Sequence, residues 1–239
     1  MSGHSKWATI KRKKGLNDEK RGQSFTKISN AITIAVKQSG GNTDTETNVK
    51  LRFAVDKARS ENMPKDSIER AIQKGTGGSG IAELDEVLYE GFAPGGVGLL
   101  IEAVTDKKQR TVAEVKNVIE KNGGTMAGKG AVGYLFNKTG EIVVATEGKS
   151  SDEVLSIALD NNISDVDEDD GAAFFYVDQK DMQNAKNGIE KAGLKIEEAS
   201  LVYKPINHVE ISHEIEEKIL NLVEKLEDMD DVQKVYTNM

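Results

Sequence analysis

The chain has 239 residues, of which 37% are hydrophobic and 30% are charged, and it contains no cysteine. This composition is typical of a globular protein, and the missing cysteines exclude disulfides, a thiolate nucleophile and a cysteine metal site. No apolar run approaches the ~20 residues that a membrane-spanning helix needs, and the N-terminus lacks the apolar stretch of a secretory signal. The sequence therefore predicts a cytoplasmic protein with no membrane partner.

The charges are unevenly distributed along the chain. It carries 32 Lys and Arg against 40 Asp and Glu, a formal net charge of -8. Residues 1–75 hold 16 of the basic residues and only 8 of the acidic ones, a net charge of +8, so the remainder carries -16. A basic segment on an acidic body favours binding to a polyanion such as nucleic acid. The alternative is that the charge run only forms a solvated surface.

The first 77 residues predict a basic arm followed by a small helical domain. Residues 1–20 have almost no apolar periodicity, which predicts an arm that is mobile when unbound. Apolar residues then recur at helical spacing in three segments bounded by glycine or proline. The predicted helices run from Phe25 to Val36, from about Asn48 to Glu61, and from Pro64 to Lys74–Gly75. The glycine-rich stretch GTGGSG at 75–80 predicts a linker.

After this linker the pattern changes to strands of alternating or continuous apolar residues, with helices between them. Strands are predicted at 87–92, 97–104, 131–136, 209–212 and 232–236. Helices are predicted over Val112–Ile119 and through Ile215 and Leu226. The tail cannot form a sheet by itself, so we expect it to complete the sheet that begins at residue 87.

Between residues 141 and 204 the predicted order is strand, helix, strand, strand, helix, strand, the βαββαβ order of a ferredoxin-like unit. The sequence therefore predicts an α+β fold, with an N-terminal three-helix domain plus two α/β domains. The last of these is a ferredoxin-like unit inserted in the middle one. The predicted domains are 1–77, then 78–138 together with 205–239, and finally 139–204.

Three stretches resemble ligand-binding motifs but stand in the wrong context. The G-x-G-x-x-G spacing at Gly75–Gly80 follows a predicted helix, whereas a dinucleotide site needs a strand before it. The G-x-x-x-x-G-K spacing at Gly123–Lys129 is followed by Gly130 rather than Ser or Thr. The acidic run 165–171 lacks the glycine position and the final Glu of a calcium loop. The sequence thus predicts no cofactor, no metal and no small-molecule substrate.

No catalytic arrangement can be argued from the sequence. The three histidines are scattered, and no Ser/His/Asp set or carboxylate pair is apparent. This predicts a protein that is not an enzyme. Phe174, Phe175 and Tyr176 could stack on RNA bases, but acidic residues precede them, so core packing is the favoured prediction.

The N-terminal arm carries the residues that we predict to bind nucleic acid. Its cations can neutralise phosphates and release counterions. Trp7 can stack on an unpaired base, although its ring could equally hold the arm against the helical domain. The predicted nucleic-acid-binding residues are Lys6, Trp7, Lys11, Arg12, Lys13, Lys14, Lys20, Arg21 and Lys27.

Two further basic features are weaker. The junction Glu61–Pro64 resembles a helix-turn-helix bend, so the third helix is a candidate for reading the major groove. A second cationic patch is predicted at Lys107, Lys108, Arg110 and Lys129. The alternative to this patch is ordinary charge at the start of a helix.

Long stretches distributed over essentially the whole chain carry a family resemblance. They include GHSKWATIKRKK, NMPKDSIERAI, YEGFAPGGVGLLIEAVTD and LEDMDDVQKVY. In these stretches the sequence resembles the YebC family, which includes the mitochondrial translational activator of cytochrome c oxidase. It departs from the family pattern at Thr9 and at residues 125–129, where the family wording is usually richer in Asn.

The resemblance implies three domains and a non-enzymatic role in gene expression. Many members are labelled probable transcriptional regulators that bind DNA, so a DNA-binding regulator is the first hypothesis. Others act in translation, where they help ribosomes through consecutive prolines, so ribosomal RNA and the ribosome are the alternative partners. A third hypothesis is a scaffold whose acidic clusters at 165–170 and 227–231 bind a protein.

Overall fold

The computed structural model describes residues 18–77, 84–146, 148–169 and 171–239. Within these residues the chain forms seven α-helices and eight β-strands. The helices are α1 Asp18–Gln38, α2 Val49–Ser60, α3 Lys65–Gly75, α4 Lys108–Lys121, α5 Ser151–Asp160, α6 Met182–Lys191 and α7 His213–Glu227. The strands are β1 Asp85–Phe92, β2 Gly98–Thr105, β3 Thr125–Ala127, β4 Phe136–Ala145, β5 Asp165–Asp169, β6 Ala172–Val177, β7 Lys195–Pro205 and β8 Val232–Thr237. None of the described helices is long and apolar enough to cross a membrane.

The N-terminal region is a three-helix domain, as predicted. Its core is a cluster of buried apolar side chains that includes Ile32, Val36, Leu51 and Ile68. The buried side chain of Asn48 caps α2 by accepting a hydrogen bond from the Leu51 N–H at 3.1 Å. Helix α1 begins at Asp18, so the last three residues of the predicted arm are helical, and the rest of the arm lies outside the described residues.

Gly75, which we placed both at the end of the third predicted helix and at the start of the linker, is the buried last residue of α3. A Cβ atom at this position would lie 2.6 Å from Val36 Cβ and 2.7 Å from the Thr33 carbonyl oxygen. Only glycine therefore lets α3 approach α1 this closely. Residues 78–80 of the predicted linker lie outside the described residues.

The first sheet has the strand order β3-β1-β2-β8. Strand β1 pairs antiparallel with β2 from Asp85 opposite Thr105 to Phe92 opposite Gly98. The last strand of the chain lies beside β2, so the tail completes the sheet begun at β1, as the predicted fold requires. The β2 residues Leu99, Leu100 and Ile101 are fully buried.

Two predicted strands are wrong. Residues 131–135 form a loop with a 3₁₀ turn at Gly133–Leu135, because backbone N–H groups of this segment donate to the Glu90 side chain instead of a neighbouring strand. The strand at 209–212 is irregular backbone, in which the Val209 N–H donates to the Asn238 carbonyl oxygen at 2.7 Å. Conversely, the short strand β3 was not predicted, since three residues between glycines carry no periodic signal.

The second sheet has the strand order β5-β6-β4-β7, and all its neighbouring strands are antiparallel. With α5 and α6 it has the predicted βαββαβ order. Its second strand in space, β6, carries Phe174, Phe175 and Tyr176, which are at most 2% exposed. These rings therefore pack in the interior, as the favoured prediction required.

The chain divides into two compact units. Of the described residues, the first unit contains those from Asp18 to Gly133 together with Ile211–Val235, and the second contains Tyr134–Glu210 together with Tyr236–Met239. The helical domain and the first sheet thus share one unit. The three domain boundaries drawn from the sequence stay a prediction.

Candidate nucleic-acid interface

Most of the predicted arm residues fall outside the described part of the chain. This applies to Lys6, Trp7, Lys11, Arg12, Lys13 and Lys14. Lys20 and Arg21 lie in the first turn of α1. The role of these residues stays a prediction.

Lys27, the last residue of the predicted interface, makes a contact that the sequence did not suggest. Its ammonium group donates a hydrogen bond to the backbone carbonyl oxygen of Glu227, the last residue of α7. The C-terminus of a helix carries partial negative charge, which favours a cation there. Lys27 therefore ties α1 to α7, and a phosphate would have to compete with this contact. The 200 residues between the partners leave no local signal of it.

Helix α3, the candidate reading helix, carries carboxylates among its cations. Lys65 lies 3.5 Å from Glu69, and the Arg70 guanidinium donates to the Asp66 carbonyl oxygen at 3.0 Å. Pro64 stands just before the helix as its N-cap residue, and Asn62 adopts a positive φ of 59° in the bend. The exposed side of α3 is therefore not a uniformly cationic surface.

The four cations of the second predicted patch differ in whether a carboxylate pairs with them. Lys108 Nζ lies 2.9 Å from an Asp85 carboxylate oxygen, and Arg110 lies 2.8 Å from Asp231. A phosphate would have to displace a carboxylate from both. Lys107 and Lys129 are exposed like the other two, but neither forms an ion pair with a carboxylate of the described residues.

The Asp231 carboxylate stabilises the fold, a role that the sequence did not indicate. Its side chain accepts hydrogen bonds from Thr111 Oγ1 at 2.6 Å and from Arg110, while its carbonyl oxygen accepts one from the Val104 N–H at 2.8 Å. Burial opposes ionisation of Asp231, but the hydrogen bonds from Thr111, Arg110 and Thr105 outweigh it and lower the pKa of the carboxyl group. Asp231 thereby fastens the returning tail to β2 and α4.

Glu90 organises the glycine-rich loop after β3. This side chain is only 4% exposed, and its carboxylate accepts the backbone N–H groups of Gly130, Val132 and Gly133 at 2.6, 2.5 and 2.8 Å. Burial opposes ionisation of Glu90, yet these three bonds and the nearby Lys129 charge lower its pKa.

The G-x-x-x-x-G-K spacing at Gly123–Lys129 is not built as a phosphate-binding loop, because its residues Thr125–Ala127 form strand β3. In a true phosphate loop, the backbone N–H groups point at the ligand. Here the N–H groups that follow the spacing, at residues 130, 132 and 133, bond the Glu90 carboxylate instead. The geometry therefore agrees with reading this segment as a structural loop that leaves Lys129 exposed at its tip.

The two acidic clusters have different surroundings. Residues 165–169 form β5, an edge strand of the second sheet, and Asp165 pairs with Lys204. In the cluster at 227–231, Glu227 is buried and accepts a hydrogen bond from the Val235 N–H at 3.2 Å. Glu227 and Asp231 therefore hold the fold together. No three His, Asp or Glu side chains in the described residues are grouped so that they could hold a metal ion.

Comparison with known proteins first defines the class. The fold matches the crystal structure of a conserved hypothetical protein from Aquifex aeolicus with a TM-score of 0.85. The two chains are 38% identical, and the match covers 92% of this chain and 90% of the other. The chain is thus a mixed α+β protein with an N-terminal helical region followed by α/β domains.

The family follows from the sequence comparisons. Residues 5–78 match the TACO1/YebC protein N-terminal domain, and residues 84–239 match the TACO1/YebC second and third domain. The chain belongs to the TACO1/YebC family, as the resemblance implied.

Its relatives include proteins named probable transcriptional regulatory protein. One from Chlorobaculum tepidum is 44% identical over 240 residues, and one from Syntrophus aciditrophicus is 45% identical over 239 residues. In both comparisons the match covers 100% of this chain and 95% of the relative. A role in gene regulation is therefore the function that the names of the relatives support.

Proposed function

We propose that this protein regulates transcription by binding DNA through its basic N-terminal segment, without catalysing a reaction. The observation that carries the proposal is the charge segregation, +8 over residues 1–75 and -16 over the rest. The names of the relatives support the regulatory part of the proposal.

The described contacts strengthen the contrast between the two parts. In the first α/β domain, the basic side chains of Lys108 and Arg110 are paired with carboxylates at 2.9 and 2.8 Å. At these two side chains a phosphate would have to compete with a carboxylate. The arm, with Lys11, Arg12, Lys13 and Lys14 in succession, is the densest run of positive charge in the chain. Phosphate contacts therefore concentrate on the arm.

The test compares two charge-matched variants in a duplex-binding titration at several salt concentrations. One variant replaces Lys11, Arg12, Lys13 and Lys14 with Gln, and the other replaces Lys149, Lys180, Lys191 and Lys195 with Gln. We expect only the arm variant to lose affinity, with a log–log salt dependence flatter by about 0.9 for each phosphate that is no longer neutralised. Equal binding by the two variants would remove the arm from the proposal.

A second candidate function is binding to ribosomal RNA as a translation factor. The observation that favours it is Trp7 within the cationic run, since stacking on an unpaired base contributes about 1–3 kcal/mol. Trp7→Ala then weakens binding to single-stranded RNA and co-sedimentation with ribosomes, but leaves duplex binding unchanged. A loss confined to duplex DNA supports the transcriptional role instead. Trp7→Phe, which keeps an aromatic ring, is the matched control.

A further inference from the structure

The helical domain contacts the first sheet mainly through polar groups. Lys37 Nζ donates to the Leu84 carbonyl oxygen at 2.8 Å and lies 3.5 Å from an Asp85 carboxylate oxygen. The side chain amide of Gln38 donates to the next carboxylate, Glu86, and Lys50 Nζ lies 4.0 Å from Glu86. The start of β1 thus presents two adjacent carboxylates to cations of the basic segment.

The apolar contact seen among the described residues is small. There, a buried cluster of Ile34, Leu84 and Val104 joins α1 to the sheet. The core among α1, α2 and α3 is a separate and much larger cluster. The side chains of Lys37, Asp85, Lys50 and Glu86 are between 36% and 45% exposed. Ion pairs between such side chains are weak and are screened by salt.

Asp85 does not depend on the helical domain for its partner. Lys108 Nζ, on α4, lies 2.9 Å from the other Asp85 oxygen. If Lys37 leaves, Asp85 keeps this closer cation, and the exposed Glu86 carboxylate is hydrated by water. Release of the two lysines therefore leaves no buried charge unpaired, so its free-energy cost is small.

We propose that Asp85 and Glu86 are an internal competitor for phosphate, which masks Lys37 and Lys50 until nucleic acid displaces it. This proposal rests on the proposed function and adds Lys37 and Lys50 to the nucleic-acid-binding surface. When phosphates bind these lysines, the contacts at the Asp85–Glu86 edge open, and the helical domain separates from the first sheet once the Lys27 bond to the end of α7 also breaks. The carboxylates and the phosphates cannot hold the same ammonium groups at once.

The first test follows the domain contact without nucleic acid. Because the chain contains no cysteine, Ser60→Cys and Lys121→Cys accept a fluorophore pair, one on α2 and one on α4. Energy transfer is measured as sodium chloride is raised. We expect D85N/E86Q to lose transfer at lower salt than the unsubstituted chain. The charge-matched control D160N/E190Q, in the second unit, should follow the unsubstituted chain.

The second test measures affinity for a short random-sequence duplex with the same variants. D85N/E86Q should bind roughly three- to tenfold more tightly than D160N/E190Q at low salt, the range that two weak ion pairs allow. The log–log dependence of its affinity on salt should be steeper by up to about 1.8. Its two phosphate contacts release counterions from the DNA, and no freed carboxylates at positions 85 and 86 take up cations in return. Circular dichroism confirms that both variants are folded.

The outcomes separate the two proposals. If the unsubstituted chain binds duplex but D85N/E86Q and D160N/E190Q give superimposable transfer and binding curves, Asp85 and Glu86 are not a competitor. If D85N/E86Q separates the domains at lower salt while no variant binds nucleic acid, the domain contact is as described and the proposed function is wrong, and the competitor role is wrong with it.

Discussion

Each of the two sheets is stabilised by a different combination of interactions. In the second sheet, consecutive elements of one segment build a core of buried rings, with Phe174 and Phe175 at 0% exposure. The first sheet also has a buried apolar core, but it receives its last strand from the far end of the chain and uses carboxylates to fasten non-local segments. The buried Glu90 holds the loop at 130–133, and the half-buried Asp231 holds the tail. The comparison teaches that segments far apart in the chain are fastened here by specific hydrogen bonds in addition to apolar packing.

The largest effect is expected from a substitution in the apolar core of the second sheet. Phe175→Ala removes a fully buried ring from β6 and should lower the free energy of unfolding by about 3–5 kcal/mol. Hydrogen exchange should show the loss of protection mainly within residues 134–210. Phe175→Leu, which retains most of the apolar volume, is the control and should cost less. Equal loss of protection in both units would contradict separate cores.

The next effect concerns the Glu90 anchor. Glu90→Gln places an amide group against three backbone donors, and we expect a loss of about 2–3 kcal/mol in the free energy of unfolding. Protection should fall first at residues 128–133. The exposed Glu114→Gln change removes the same charge from α4 and should be close to neutral. If both variants are equally stable, the carboxylate does not organise the loop.

A smaller effect is expected at Asp231. Asp231→Asn weakens the bonds from Thr111 and Arg110 and should cost about 1–2 kcal/mol, with faster exchange at the Val104 amide. The neighbouring exposed Asp230→Asn change is the matched control. Unchanged exchange in Asp231→Asn would show that the backbone pairing alone fastens the tail.

The smallest effect is a difference in pH dependence. The pKa of Glu90 is lowered in the folded chain, so its ionised form contributes stability above the ordinary pKa of about 4.3 and loses it as pH falls through the folded value. Stability should therefore decline on acidification below about pH 5, and Glu90→Gln should flatten this decline. Denaturant titrations at a series of pH values measure both slopes. Parallel slopes would contradict a lowered pKa at Glu90.

Features that depend on residues close together in the chain were predicted, and features that depend on distant residues were not. The helices of the N-terminal domain and the βαββαβ order were predicted because each is written in the spacing of apolar residues within one segment. The strand at 131–136 was wrong because the Glu90 side chain, 40 residues earlier, takes the backbone donors of that loop. The close approach of α3 to α1 at Gly75 was not predicted, because the contact of two helices leaves no periodic signal in either segment.

The candidate interface divides in the same way. Charge composition identified the basic segment and the acidic body, since charge adds up along the chain whatever its fold. The sequence could not show that Lys27 bonds the end of α7, or that Lys108 and Lys37 share Asp85. Those contacts join residues far apart in the chain.

By itself, the sequence determined the α+β class, the family and the segregation of charge, because local periodicity, motif identity and composition need no knowledge of distant neighbours. The tertiary structure alone decided which cations are already held by carboxylates and which strand of the first sheet the tail pairs with. An ion pair or a strand pairing depends on the distance between atoms, and only the folded chain sets that distance.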